Sequence, residues 1–339
     1  MFSENVTIEA IAYELGPHRI TTASLEDQVA ETMARLRIPR GQLARMTGIY
    51  ERRFWDPHIQ PSDAATLTAR KLFDQTGIDP DEIGCLVSTS VCKDYIEPSV
   101  ASLVHGNLKL SPHCLNFDIS NACIGALHGM QTVGMMIDSG AIKYGLVVCA
   151  ESSREGIEST LERLKSPEAT LDMYKVNFAT LTIGSGAVAI LLTHKQYSRT
   201  GHTINGLVNL AATEHNRLCT ASKTEMTTHA AQLLQAGFEL AGRTWQLASE
   251  QLANWSDDSI DRYVPHQVSV QQIKGMCKYL GVKPEKVQLN VEKLGNMAAA
   301  ALPITLAMAA EQGTIKPGDH VGLLGIGSGL NCSMMSVSW

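Results

Sequence analysis

The chain has 339 residues, of which 44% are hydrophobic and 18% are charged, so it is long enough to form two domains around a sizeable core. A formal net charge of −6 gives no reason to expect binding to nucleic acid. No apolar stretch is long enough to span a membrane, the N-terminus lacks a signal-peptide pattern, and eight cysteines without a C-x-x-C pair fit neither a zinc site nor a secreted disulfide framework. These features predict a soluble cytoplasmic protein with buried thiols and no metal centre.

The first 91 residues predict alternating strands and helices around one unusual segment. That segment, residues 46–56, is basic and aromatic, which fits either a surface loop with ordinary salt bridges or arginines at the mouth of a pocket for a phosphorylated carrier. The regular elements are predicted as a strand at Val6 to Leu15, a helix entered through a Ser-x-x-Asp cap at Ser24 to Arg37, an amphipathic helix at Ser62 to Gly77 and a buried strand at Cys85 to Val91.

Two further segments are read from their flanking residues. In the loop at residues 93–99, Glu97 precedes a proline, so its backbone should be extended rather than helical, and such a carboxylate is most often only a solvated turn residue. Residues 118–138 predict the end of a strand, a sharp turn and a helix that is apolar on nearly every side and therefore buried.

Cys123 is expected to be the first residue of that buried helix. Unpaired backbone N–H groups and the positive end of the helix dipole favour a thiolate at this position, which suits a nucleophile. An isolated cysteine before an apolar helix is more often a small core residue, so the second half of the chain has to decide between the two interpretations.

The second half repeats the first. An apolar run follows Gly140 to Gly145, and another follows the similar segment Gly313 to Gly318. The offset between these two segments carries Cys123 onto Asn296, in another turn before a small-residue helix. Another pair of similar segments lies upstream at a slightly larger offset, and its second copy runs directly into Pro265 and His266.

Repeats of this length predict two similar halves in one compact unit, residues 1–195 and residues 196–339. In each half, strands and helices alternate in a βαβαβ order, which indicates α/β architecture with a mainly parallel sheet. Strand ends that carry Cys123, His266 and Asn296 should converge between the halves, where open α/β sheets place their ligands.

The segments between these motifs are less specific. Residues 151–178 form a polar helical stretch broken by Ser166 and Pro167, and we interpret them as an insertion that acts as a lid, a channel wall or a subunit contact. Residues 197–219 have strand and loop character, and residues 226–252 predict one or two long helices.

Cys123, His266 and Asn296 form a set suited to Claisen chemistry. A cysteine thiolate accepts an acyl group from a thioester. A histidine N–H and an asparagine N–H can both donate to one oxygen, which stabilises the enolate formed when a second thioester loses its α-proton or a carboxyl group.

The glycine-rich loop near the C-terminus allows close approach of the backbone. A backbone N–H from this loop, together with that of Cys123, would form an oxyanion hole for the acyl-cysteine, with Gly327, Ser328 and Gly329 in contact with the substrate. A nicotinamide site is excluded because only ten residues follow Gly329. We expect the remaining candidate ligands to be locally satisfied residues rather than metal ligands: His113, Cys114 and His128.

Taken together, the ordered motifs resemble the thiolase superfamily, on its beta-ketoacyl-ACP synthase III branch. The resemblance covers essentially the whole chain and implies a thiolase fold of two pseudo-repeated βαβαβ halves in five layers, α-β-α-β-α. It rests on Thr-Gly-Ile-Tyr-Glu-Arg-Arg at 47–53, Asn-Ala-Cys at 121–123, Pro-His-Gln at 265–267, Gly-Asn-Met-Ala-Ala-Ala-Ala-Leu-Pro at 295–303 and Gly-Ile-Gly-Ser-Gly-Leu-Asn at 325–331.

Within that branch, residues 93–99 and 324–334 are most similar to the head-to-head acyl-CoA condensing thiolases of long-chain olefin biosynthesis. This resemblance implies a non-decarboxylative condensation of two fatty acyl-CoA molecules to a 2-alkyl-3-ketoacyl product. It further implies that Glu97 is the general base and reaches across a homodimer interface into the partner's site. Acyl-CoA is then the substrate, no cofactor is required, and enzymes of a downstream pathway are possible partners.

The chain departs from the synthase III pattern where that family usually holds the CoA adenine. The expected tryptophan and arginine are replaced by Gln42 and Met46, which argues against short-chain priming with malonyl-ACP. The alternatives are a decarboxylative synthase III that uses malonyl-ACP, an acyltransferase to an alcohol or amine, and a non-catalytic partner. An acyltransferase would need no enolate donor, so the presence of Asn296 counts against it.

Overall fold

Strands make up the framework of the structure, a computed structural model that describes residues 5–339. Central strands such as Leu146 to Ala150 are continuously apolar, as expected for strands covered on both faces. The strands are β1 (Val6–Leu15), β2 (His18–Thr21), β3 (Glu51–Phe54), β4 (Ile83–Ser88), β5 (Leu115–Asp118), β6 (Tyr144–Glu151), β7 (Gly186–His194), β8 (Thr203–Ala211), β9 (Cys219–Ala221), β10 (Met226–Thr228), β11 (Arg262–Pro265), β12 (His320–Gly327) and β13 (Asn331–Ser338).

Helices connect and cover these strands. They are α1 (Thr22–Gln28), α2 (Ala30–Arg35), α3 (Gln42–Thr47), α4 (Pro61–Thr76), α5 (Val100–Leu108), α6 (Gly125–Asp138), α7 (Arg154–Lys165), α8 (Leu171–Asn177), α9 (Ala230–Gln251), α10 (Val270–Leu280), α11 (Val291–Leu294) and α12 (Ala301–Glu311). Short 3-10 turns precede α6 and α12, at Ala122–Ile124 and Ala298–Ala300. None of the helices within residues 5–339 is long and apolar enough to cross a membrane.

Nine strands are hydrogen-bonded in the order β11-β12-β13-β8-β1-β7-β6-β4-β5. β1 and β8 meet at a single register pair, Thr7 with Thr203, so the order divides there into a five-stranded and a four-stranded sheet. Outward from this junction, the five-stranded sheet has two antiparallel pairings followed by two parallel ones. The four-stranded sheet has two antiparallel pairings followed by one parallel pairing. The prediction of a mainly parallel sheet is therefore wrong. All strands of the first sheet precede residue 196 and all strands of the second follow it.

Layers of helix and sheet alternate through the molecule, as the thiolase resemblance predicts. α4 and α5 cover the outer face of the five-stranded sheet, and α9, backed by α10, covers the outer face of the four-stranded sheet. α6 and α12 lie between the two sheets and share one core with strands of both. The predicted five-layered α-β-α-β-α arrangement is confirmed.

The backbone repeats with a slightly larger offset than the one that joins Gly140 to Gly313. The starts of β6 and β12 are separated by the same offset as the starts of α6 and α12. The two 3-10 turns match at this offset too, because Ala122 has φ 44° and Ala298 has φ 45°, a left-handed conformation that is uncommon for alanine. Asn296 therefore corresponds to Ser120, and the predicted pairing of Asn296 with Cys123 through the repeat is wrong.

Several predicted element boundaries also change. The helix expected at residues 24–37 is divided at Val29 into α1 and α2. Its cap is Thr21, whose hydroxyl accepts a hydrogen bond from the Ser24 N–H at 3.1 Å, so the predicted Ser-x-x-Asp cap is wrong. The long helix expected from residue 226 starts only at Ala230, because residues 226–228 pair with β9. The strand at Val6 to Leu15 is confirmed.

Candidate active site

Cys123 lies in the 3-10 turn Ala122–Ile124, two residues before α6 begins. The expectation that Cys123 is the first residue of the helix is therefore wrong. The helix itself is as buried as its composition predicts, since Gly125 and Gly129 allow it to pack closely against Thr89 and β6. The Cys123 residue remains partly exposed.

Burial raises the pKa of the Cys123 thiol to about 12, and the nearby Glu151 carboxylate adds to this effect. The predicted stabilisation of a thiolate by the helix terminus does not prevail, because desolvation of the charged form is larger. The resting nucleophile is consequently a neutral thiol that has to lose its proton when it attacks a thioester.

His266 follows directly after β11 and is 3% exposed. Its backbone N–H donates to the Leu324 carbonyl of β12 at 2.8 Å, which ties it to the strand that ends at Gly327. Burial lowers the pKa of His266 to about 4, so the imidazole is neutral at physiological pH. Its Nδ1 is buried without a hydrogen-bond partner among residues 5–339.

Asn296 is held on both its backbone and its side chain. Its N–H donates to the Thr182 carbonyl and its carbonyl accepts from the Gly184 N–H, both at 2.9 Å. Its Oδ1 accepts from the Ala298 N–H at 2.9 Å. Because the amide oxygen is occupied within its own turn, the Nδ2 group is left to act as the outward donor.

Gly327 brings the end of β12 against the backbone of Cys123. A Cβ atom at residue 327 would lie 3.2 Å from the Cys123 nitrogen, so only glycine permits this approach without displacement. Ser328 and Gly329 continue into the turn that leads to β13, and both are partly exposed. Of the three residues assigned to the oxyanion site, Gly327 thus adjoins the nucleophile's turn, and the other two follow it in the chain.

Packing brings the predicted triad to one place. The turn that carries Cys123 lies against the Ala298–Ala300 turn, which follows Asn296, and against β12, to which His266 is hydrogen-bonded. His266 and Gly325 also line a common small cavity with apolar residues of α10. The structure therefore brings the backbone elements that carry Cys123, His266 and Asn296 into contact with one another between the two halves.

Glu97 is placed differently. It is exposed, together with Tyr95 and Ile96, at the tip of a non-helical loop between β4 and α5. Ile96 is 99% exposed, and the side chains of Tyr95 and Glu97 form no hydrogen bond within residues 5–339. This subunit alone does not assemble Glu97 with the other three residues.

Within the basic and aromatic segment at residues 46–56, Arg52 is not placed as predicted. Its side chain is fully buried and donates to Thr22 Oγ1 at 2.9 Å and to the Leu181 carbonyl at 2.8 Å. Burial lowers the pKa of this guanidinium to about 10. Both predicted roles are wrong for Arg52, which neither lies in a surface loop nor reaches a pocket mouth. Met46 does lie exposed on α3, beside Gln42.

Two groups of residues near Cys123 were missed from the sequence. Glu151, at the end of β6, is 2% exposed and accepts hydrogen bonds from the Val91 and Cys92 N–H groups. A polar network behind the nucleophile joins Asn121, Asn331 and His128, in which the Asn121 amide contacts His128 Nδ1 at 2.8 Å and accepts from Asn331 Nδ2 at 3.2 Å. An acidic residue ending a buried apolar strand was the available signal for Glu151. His128 Nε2 contacts Asn209 Oδ1 and Ser333 Oγ, both at 3.1 Å. No group of three or more His, Cys, Asp and Glu residues that could hold a metal ion occurs in residues 5–339.

Comparison with known proteins places this arrangement in a family. The 3-oxoacyl-[acyl-carrier-protein] synthase III profile matches residues 117–207, and the profile for the C-terminal part of that family matches residues 251–339. Acyl-CoA:acyl-CoA alkyltransferases of Xanthomonas campestris pv. campestris and Shewanella oneidensis are each 40% identical to the chain. They align with 100% and 98% of it and with 100% and 99% of their own lengths.

Solved structures give the same result. Crystal structures of a cysteine-to-serine variant of Xanthomonas campestris OleA, with bound lauric acid and lauroyl-CoA, match with a TM-score of 0.97 at 39% identity and cover 100% of both chains. Structures of that OleA in which a glutamate, a cysteine or a histidine is replaced also match. The chain therefore belongs to the 3-oxoacyl-[acyl-carrier-protein] synthase III family of thiolase-type condensing enzymes, on the branch that includes OleA.

Proposed function

We propose that this protein condenses two fatty acyl-CoA molecules head to head, without decarboxylation, to a 2-alkyl-3-ketoacyl product. The observation that carries the proposal is the convergence of Cys123, His266 and Asn296 in a chain that aligns over its full length with acyl-CoA:acyl-CoA alkyltransferases. The lauroyl-CoA bound to OleA supports a long-chain acyl-CoA as substrate.

In the first half-reaction, the Cys123 sulfur attacks the thioester carbonyl of one acyl-CoA. The thiol proton passes to the neutral His266, and CoA leaves as the acyl-cysteine forms. Backbone N–H groups at Cys123 and at the Gly327–Gly329 turn hold the oxyanion of the tetrahedral intermediate.

In the second half-reaction, Glu97 of the partner subunit removes the α-proton of a second acyl-CoA. The resulting enolate oxygen accepts hydrogen bonds from His266 and from the Asn296 amide. Its α-carbon attacks the acyl-cysteine carbonyl and expels the Cys123 thiolate, which takes a proton back.

Residue spacing supports the assignment of Glu97. The glutamate replaced in the OleA structures precedes the replaced cysteine by the same number of positions as Glu97 precedes Cys123. The spacing from that cysteine to the replaced histidine differs by a single position from the spacing between Cys123 and His266. Glu97 therefore has the chain position of a residue that was chosen for substitution in OleA.

Exposure supports a homodimer in which Glu97 acts in trans. The tip with Ile96 and Glu97 projects from its own subunit without bonds to it. Within residues 5–339, β5 pairs only with β4, and Leu115 on this strand is 52% exposed. An unpaired edge strand with an exposed leucine is suited to pairing with a second copy of the chain. Enzymes of an olefin-forming pathway would then consume the β-keto product.

The test is incubation of the purified protein with myristoyl-CoA alone, followed by mass spectrometry of the lipid products and the protein. We expect a symmetrical long-chain ketone, with two CoA released per ketone. It forms when the thioester of the condensation product is hydrolysed to a β-keto acid, which then loses carbon dioxide. Cys123→Ala should form no acyl adduct, whereas Glu97→Gln should form the adduct and make no ketone.

Other outcomes point elsewhere. An acyl adduct without product until malonyl-ACP or an alcohol is added would replace the proposal by decarboxylative condensation or acyl transfer. Mixed dimers of Cys123→Ala and Glu97→Gln subunits should regain one working site, and a complete lack of ketone from them would refute action in trans.

A further inference from the structure

Three carboxylates hold the loop that carries Glu97 in place through hydrogen bonds. Glu151 accepts from the Val91 N–H at 2.9 Å with Oε1 and from the Cys92 N–H at 3.0 Å with Oε2. Asp94, itself part of the loop, is buried and accepts from the Ser62 hydroxyl at 2.6 Å.

The third carboxylate closes the other end of the loop. Asp118 accepts from the Val100 N–H at 3.2 Å and from the Ala101 N–H at 2.9 Å, and it pairs with Lys93 at 3.2 Å. All of these bonds lie at the stem, and the exposed tip takes part in none of them. A functional group has to be held in its productive geometry by supporting bonds, and in this loop those bonds lie in the stem.

Glu151 also lies near the nucleophile of its own subunit. Its negative charge contributes to the raised pKa of Cys123, and its side chain is fully buried at the end of β6. Glu151 is thus adjacent both to the loop that carries Glu97 and to the Cys123 thiol. The bonds that its carboxylate makes distinguish between these two neighbours.

We infer that Glu151 is a positioning residue that fixes the Glu97 loop of its own subunit for use in the partner's active site. The geometry favours this role because both carboxylate oxygens are used by the loop backbone at 2.9 and 3.0 Å. The inference rests on the proposed function, in which Glu97 is the base in trans.

Glutamine at this position separates the possibilities. Its amide has one acceptor oxygen, so its NH₂ group would face one of the two loop N–H donors and at least one bond would be lost. The loop would shift, and misplacement of a base by about 1 Å lowers a rate by up to about 100-fold. Acylation of Cys123 should persist, since removal of the nearby negative charge does not hinder thiolate formation.

The experiment uses differently tagged mixed dimers with one complete site. One subunit carries Cys123→Ala and donates Glu97, and the other carries Glu97→Gln and supplies Cys123. Glu151→Gln is then added to either subunit, and ketone formation and the Cys123 acyl adduct are measured with myristoyl-CoA.

We expect condensation to fall about 10- to 100-fold when Glu151→Gln is on the Glu97-donating subunit, with an unchanged acyl adduct. On the Cys123-supplying subunit, the same substitution should change condensation by no more than about twofold. Equal losses in both arrangements, or a loss only on the Cys123-supplying subunit, would overturn the inference. A parent mixed dimer that makes no ketone, when the unmodified protein does, would refute the action of Glu97 in trans and, with it, this inference, but not the condensation itself.

Glu26→Gln is the matched control. Glu26 is also a buried carboxylate that accepts two backbone N–H groups, from Gly41 at 2.6 Å and Leu43 at 2.8 Å, but it holds a different part of the chain. It should leave the ratio of condensation to acylation unchanged.

Ser62→Ala gives a second test if Glu151→Gln does not fold. It removes the hydroxyl bonded to Asp94 without altering any group near Cys123. It should lower condensation severalfold, and only on the Glu97-donating subunit, and a loss on the other subunit would contradict the inference.

Discussion

Cys123 and His266 are both neutral in the folded protein, and for the same reason. Burial raises the pKa of the thiol to about 12 and lowers the pKa of the imidazole to about 4. A neutral thiol beside a neutral base differs from a thiolate–imidazolium pair, because no net charge has to be held in the site before substrate arrives. Proton transfer then accompanies attack on the thioester rather than preceding it.

The pKa of His266 predicts how the stability of the fold depends on pH. The folded-state pKa of about 4 lies below the ordinary value of 6.5, so between these values the unfolded chain binds a proton that the folded chain does not. The stabilisation is complete above pH 6.5 and is lost as the pH falls through about 4. It amounts to about 3 kcal/mol.

Denaturant unfolding at pH 7 and pH 4 checks this prediction. The wild-type free energy of unfolding should fall by about 3 kcal/mol more than that of His266→Gln, which has no titrating group at this position. The carboxylates are shared by both proteins, so they cancel in the comparison. Equal pH dependence in the two proteins would contradict the neutral, buried state of His266.

At the scale of elements, α6 holds the nucleophile's turn through two glycines. A Cβ at Gly125 would lie 2.8 Å from the Thr89 carbonyl oxygen, which is a backbone atom at the end of β4 and cannot move away cheaply. Any side chain there has to push the start of α6, and the turn before it, off the sheet.

Gly125→Ala should therefore both destabilise the protein and slow acylation. We expect a loss of about 1–3 kcal/mol in the free energy of unfolding, typical of overpacking. Gly106→Ala in α5 is the control, since no atom lies within 4 Å of its added Cβ, and it should be neutral or stabilising by up to about 1 kcal/mol. Thermal unfolding and the rate of acyl-adduct formation measure both effects, and equal melting temperatures for the two variants would count against this account of α6.

The sequence was most informative where composition alone decides an element. α6 and the apolar strand β6 were predicted because uninterrupted small and apolar residues can only be buried. The 3-10 turn that holds Cys123 was not, because it depends on Ala122 adopting φ 44°, which alanine adopts only when its surroundings impose it.

Side chains that face inward against expectation were missed for a related reason. Arg52 is buried because Thr22 and Leu181 provide acceptors from distant parts of the chain, and no local pattern records them. Glu151 meets residues 91 and 92 only through the pairing of neighbouring strands. Contacts of long sequence separation decide both positions, whereas the assignment of the triad was inferred from residue types in order and stays a prediction.

For the whole molecule, the proposed homodimer is expected to form at the edge strand β5. Leu115 is 52% exposed on β5, which is the edge strand of the five-stranded sheet. Leu115→Lys should weaken the dimer, because a lysine on an edge strand opposes pairing with another strand. Analytical ultracentrifugation measures the change in the dimer dissociation constant, which should rise at least about tenfold, a loss of about 1.4 kcal/mol.

Leu67→Lys is the matched control for that substitution. Leu67 is also 52% exposed, but it lies on α4, away from the sheet edge. It should leave the dissociation constant unchanged. Equal weakening by both substitutions would mean that added charge, rather than loss of the β5 contact, affects the association.

In the proposed mechanism, the exposed position of Glu97 would make the second half-reaction depend on protein concentration. Under the proposed action in trans, a single subunit would accept an acyl group on Cys123 but would lack the base, because its own Glu97 lies at an exposed loop tip. At dilutions below the dimer dissociation constant, the enzyme would stop after loading and keep its acyl chain covalently bound. Dissociation would then stop condensation reversibly and limit the consumption of acyl-CoA, since a loaded monomer neither condenses nor takes a second chain.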